Sequence, residues 1–138
     1  MSNSRLSQLV LFLILSVLFG GMAFAEGASP FVVSCEDVNR VTVDLVDDPG
    51  VPGHIVVGCQ VELTALAGRR LDAHCVKWFG NMFPIVAGGH FIAMYDSMTR
   101  SIPPQFVFTE EIWEDAEAKF MAICPEKSFE IPQRVLDH

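Results

Sequence analysis

Hydrophobic and polar residues alternate over two stretches with the period of two that a half-buried strand requires. Val41, Val43 and Leu45 alternate with Thr42 and Asp44, and Ile55, Val57, Cys59, Val61 and Leu63 face away from Gly58, Gln60, Glu62 and Thr64. Between them, the segment from Asp47 to Gly53 holds two prolines and two glycines, which predict a turn. Shorter strands are expected at Phe31-Val32-Val33, from His90 to Tyr95, and at Phe106-Val107-Phe108. A three-residue loop at Leu66-Ala67-Gly68 would fold the clearest strand back on itself. It would pair Ala65 with Arg69 and turn Leu71, Ala73 and Cys75 inward. From Val76 to Val86 the pattern is lost, because Gly80, Asn81 and Pro84 interrupt Trp78, Phe79, Met82, Phe83 and Ile85. That stretch reads as irregular.

Thr109 to Cys124 follows a helical period instead. At about 100° per residue, Ile112, Trp113, Ala116, Phe120, Ile123 and Cys124 share one side. Thr109 suits an N-cap, Glu110 and Glu111 suit a first turn, Asp115 and Lys119 are spaced for an ion pair, and Pro125 ends the run. These elements together predict an α+β fold, a small antiparallel meander of three to five strands with one amphipathic helix on one face.

The first 25 residues change how the composition is read. Of 138 residues 51% are hydrophobic, but much of that share lies in a leader with one cation, Arg5, an apolar run from Leu9 to Phe19, and Ala23-Phe24-Ala25. This is the pattern of a secretory signal peptide, and its apolar part is shorter than the roughly 20 residues of a spanning helix. Val32-Val33-Ser34-Cys35 resembles a lipid-attachment motif, but Glu26, Gly27 and Pro30 separate it from the apolar run. The expected organisation is a signal peptide at 1–25, one extracytoplasmic domain at 26–125 and a C-terminal tail at 126–138. Phe129 and Ile131 of that tail could tack onto the body. No stable membrane insertion is expected once the leader is removed.

Nine Lys and Arg against 17 Asp and Glu give a formal charge of -8, which argues against nucleic acid or an anionic membrane surface as partner. Cys35, Cys59, Cys75 and Cys124 are even in number behind an export signal, so two disulfides are expected. None of their spacings forms the close pair that structural zinc sites use. In the expected hairpin, Cys59 and Cys75 would face each other at a site too wide for a bond, so each would pair outside the hairpin, and Cys35–Cys59 with Cys75–Cys124 is expected over the crossed pairing because it closes shorter loops.

No recognised catalytic or cofactor motif accompanies the four histidines. The leading expectation is a disulfide-stabilised extracytoplasmic binding protein of the inhibitor, immunity or assembly-accessory type, without a cofactor. It would contact an unidentified protein partner through Trp78, Phe79 and Phe83 on the Gly- and Pro-broken segment. Two alternatives follow from other residues. One is a small hydrolase using His90 with Asp96 or Ser97; the other is a periplasmic copper protein using Met82, Met94 and Met98 around His90.

Overall fold

A computed structural model describes residues 28–138, so the leader and its cleavage after Ala25 lie outside the described residues. In chain order the elements are β1 (Phe31–Val32), a 3-10 turn (Cys35–Asp37), β2 (Val38–Asp47), β3 (Ile55–Leu63), α1 (Ala65–Lys77), β4 (Met82–Ala87), β5 (His90–Asp96), β6 (Gln105–Glu110), α2 (Trp113–Ile123) and α3 (Gln133–Leu136). The α+β class is as expected. The single meander is not: among the described residues, six strands form two three-stranded sheets, ordered β1-β4-β5 and β2-β3-β6, and three helices accompany them.

The second sheet is built from the alternation visible in the sequence. Antiparallel pairing sets Val41 opposite Val61, Val43 opposite Cys59 and Leu45 opposite Val57. β6 then adds Phe106 beside Val61 and Phe108 beside Cys59. These side chains form one inner face, and helix α2 lays Phe120 on it, with ring centres 5.4 Å from Phe108. Fully burying each such side chain contributes about 1.5 to 3 kcal/mol. Gly58, on the opposite face, permits a close approach: a Cβ there would lie 2.7 Å from Cγ2 of Val46.

The first sheet has a parallel pair, β1 with β4, and an antiparallel pair, β4 with β5. Gly88 and Gly89, at φ of +55° and +79°, form the two-residue link between β4 and β5, a conformation glycine adopts without steric cost. Phe31, Phe83, Ile85, Ala93 and Tyr95 are buried on the inner face. Helix α1 covers that face with His74, whose ring meets Phe83 at 4.4 Å and Phe31 at 5.7 Å.

Several sequence expectations are corrected. Residues 69–75 are not a return strand: Ala67, Gly68, Leu71 and Cys75 are the buried stripe of α1, and the Oγ1 of Thr64 accepts the N–H of Ala67 as its N-cap. The stretch read as irregular contains β4. Pro84 is tolerated at the centre of that sheet because β1 pairs with Ile85 and Val86 alone and never reaches it. Helix α2 starts at Trp113 rather than after Thr109, because β3 continues to pair with β6 as far as Glu110. Lys119 accordingly pairs with Glu110 at 2.6 Å instead of with Asp115.

The disulfide pattern is corrected too. One bond is present among the described residues, Cys35–Cys124, joining the turn before β2 to the end of α2, with Cα atoms 4.7 Å apart. Cys59 and Cys75 are buried free thiols. Cys75 is helical, so the hairpin that would set it opposite Cys59 does not exist. Beyond Pro125 the chain packs back: Val135 is fully buried, Phe129 and Ile131 rest on the core, and Arg134 holds Asp44 through two bonds of 2.8 and 2.7 Å.

Candidate functional site

The outer face of the first sheet is apolar in all three strands. Cross-strand pairing aligns Val32, Val86 and Phe91 in one row and Pro84 with Met94 in the next, while Met82, which opens β4, stands opposite Asp96, the charged residue that bounds this face. Burial follows the alternation: Phe83, Ile85 and Ala87 of β4 are buried, while Met82, Pro84 and Val86 between them are not. Val32 is 58% exposed, and Met82 and Phe91 are each 51% exposed. A bulge between Ile85 and Val86 lets Ile92 stay buried while Phe91 emerges. Lys119 crosses from α2 to donate to the Ile92 carbonyl at 2.7 Å, and its ammonium lies 5.5 Å from the centre of the Phe91 ring. That cation holds the ring at the margin of the sheet.

The free flank of β1 is fastened. Arg70 donates to the Val32 carbonyl at 3.0 Å and to Asp37 at 2.7 Å, and its guanidinium lies over the Phe31 ring. Burial alone would raise the Asp37 pKa, but the Ser34 N–H and the Arg70 guanidinium together hold it below the ordinary carboxylate value. The arrangement fixes the short strand in register without a further strand beside it.

The three aromatic residues expected to meet a partner are not equivalent. Phe79 is 63% exposed, just past the end of α1. Trp78 caps that helix, is half-buried, and donates its indole N–H to Ser29. Phe83 is a correction: it is wholly buried between His74 and Tyr95, because β4 places it on the inner face. Its loss would open the core rather than bare an anchor.

The hydrolase constellation is not assembled. His90 opens β5 and Asp96 closes it, and a seven-residue strand at about 3.3 Å per residue separates them by roughly 20 Å. Ser97 is fully buried and its Oγ has no hydrogen-bond partner, so it is not presented to a substrate. The thioethers of the copper reading are also apart from their imidazole. Met94 stands four residues along the strand from His90, roughly 13 Å away.

Neither free thiol is disposed for redox work. Burial, with Glu110 adding to it and Lys119 opposing, pushes Cys59 up to about 12. Burial and then Asp72 raise Cys75. A separate groove of about 510 Å³ runs between α2 and the C-terminal segment, walled mainly by Trp113, Phe120, Met121, Phe129 and Ile131.

Sequence reasoning missed the outer-face row because β4 was hidden by Pro84 and by the glycines around it. The signal was present in the odd and even positions from Met82 to Ala87, which are apolar on both sides. A strand apolar on both sides has two faces to cover. Comparison with known proteins found no matching family model, no similar curated protein and no similar solved structure.

Proposed function

We propose that the protein is an extracytoplasmic binding protein that acts by protein–protein contact through the outer face of sheet β1-β4-β5. One observation carries this reading: Val32, Val86, Phe91, Pro84, Met94 and Met82 form an aligned apolar face on a chain that is otherwise acidic. Exposed contiguous apolar surface on a small protein marks a contact site, and methionine gives such a surface the freedom to adapt to its partner. Phe79 is a separate exposed aromatic near the end of α1, suited to a peripheral contact. Export behind the leader at 1–25 and the Cys35–Cys124 bond fit an oxidising compartment. The net negative charge suits a partner with basic groups around an apolar centre. An inhibitor, immunity or assembly-accessory role uses surface complementarity of this kind, and it requires no cofactor.

The test is affinity capture from the extracytoplasmic fraction of producing cells, comparing wild type with Val32→Glu/Phe91→Glu and with Thr42→Glu/Gln60→Glu on the other sheet. Charges placed on the proposed face should remove a captured protein that the control variant retains, at unchanged melting temperature. Equal capture by all three proteins would refute the reading.

A further inference from the structure

We propose that Asp48, His54 and Glu111 form a site for a divalent transition-metal ion of the zinc type. The three residues come from two parts of the chain, the β2–β3 loop and the segment after β6, that the second sheet gathers at one end. Asp48 follows β2 and His54 precedes β3, and the chain between them closes on itself as the Asp48 N–H donates to the His54 carbonyl at 2.7 Å. Glu111 follows β6, whose last residue, Glu110, pairs with Val57 of β3. One ligand atom from each of the three side chains lies within 4.8 Å of the other two. Nε2 of His54 is 2.7 Å from Oε2 of Glu111. The Gly50 N–H holds Oδ1 of Asp48 at 2.9 Å.

The donor set decides the class of ion. One imidazole nitrogen and two carboxylates suit zinc and its neighbours, whereas magnesium and calcium prefer an all-oxygen shell. A tetrahedral ion with ligands at about 2.0 to 2.1 Å sets them roughly 3.3 Å apart. His54 and Glu111, now 2.7 Å apart, therefore separate slightly, a change within reach of side chains at the end of a sheet. Glu111 is 67% exposed and His54 41% exposed, so a fourth position stays open to water or to a partner's ligand. Two carboxylates match the charge of the ion. The site is independent of the apolar face.

The experiment is calorimetric titration of the protein with zinc chloride, repeated with His54→Ala, Asp48→Asn and Glu111→Gln, and with His90→Ala as a control. One ion should bind per chain. Each site variant should weaken binding by at least about tenfold, since even outer-shell changes cost 10- to 100-fold. His90→Ala should bind as wild type, and magnesium chloride should not compete. Backbone amide spectra of each variant confirm that the sheet is intact, and in wild type the zinc-induced shifts should centre on residues 48–54 and 111. Absence of binding, binding untouched by the three variants, or shifts centred elsewhere would each overturn the site and leave His54 and Glu111 as an ion pair.

Discussion

The two sheets share one construction on their inner faces and differ on their outer faces. Inside, both are lined by aliphatic and aromatic side chains, Phe31, Phe83, Ile85 and Tyr95 in one and Val43, Val57, Val61, Phe106 and Phe108 in the other, under a helix that contributes aromatic contacts, His74 for one and Phe120 for the other. Outside, sheet β2-β3-β6 presents Arg40, Thr42, Asp44, Gln60, Glu62, Gln105 and Thr109, with Val46 and Val107 as its exposed apolar exceptions. Sheet β1-β4-β5 presents Val32, Met82, Pro84, Val86, Phe91 and Met94, with Asp96 beside Met82 as its charged exception. An antiparallel sheet with one solvated face alternates apolar and polar residues, and the second sheet does so. The first does not, although it carries the same alternation of burial. Its composition is that of a sheet covered on both sides, which is the ground for the proposed partner.

Substitutions in the two sheets should differ in the size of their effects. The largest effect belongs to the disulfide, which supports both sheets by tying the entry to β2 to the end of α2. Replacing Cys35 and Cys124 by serine releases a loop of 89 residues and should cost about 4 to 5 kcal/mol by chain entropy, measured by urea unfolding. Non-reducing peptide mapping should find that bond and two thiols, Cys59 and Cys75, that alkylate only after unfolding.

Next come the inner faces, where the sheets should behave alike. Phe83→Ala in the first and Phe108→Ala in the second should each lose about 3 to 5 kcal/mol. A loss confined to one of them would show that the two inner faces are not equivalent. Gly58→Ala should cost less, about 1 to 3 kcal/mol, because the new methyl group presses on the Val46 side chain.

The outer faces should separate by function and not by stability. Val32→Thr and Met94→Thr should change unfolding free energy by no more than about 0.5 kcal/mol while weakening partner capture. The smallest effect is on pH dependence. Asp37 titrates below its unfolded value of 3.8, so its contribution is fully present above that pH and is lost as pH falls through the lower folded value. In Arg70→Gln, part of that acid-side loss should disappear from the stability profile.

The sheets also differ in how much of them the sequence discloses. β2 and β3 announce themselves because their solvent faces are polar, and β5 and β6 appear as short apolar runs. β4 is apolar on both faces and carries a proline, so periodicity could not separate it from a loop. Helix α1 was misread because Leu71 and Cys75 are four residues apart, a spacing shared by a strand face and a helix stripe. Only the Thr64 N-cap distinguishes the two. That error carried into the disulfide pairing. Of the expected anchors, Phe79 is exposed and Phe83 is core, a division fixed by a strand register that composition does not contain. The convergence of Asp48, His54 and Glu111 depends on the pairing of β3 with β6, which brings together residues 57 positions apart in the chain.

On the proposed reading, the apolar outer face of sheet β1-β4-β5 meets a protein. A photo-crosslinking residue placed at Met94, on that face, and separately at Gln60, on the outer face of the other sheet, compares the two surfaces in the producing cell. Irradiation should yield a discrete cross-linked protein from position 94 and none from position 60. The same adduct from both positions, or from position 60 alone, would contradict the account.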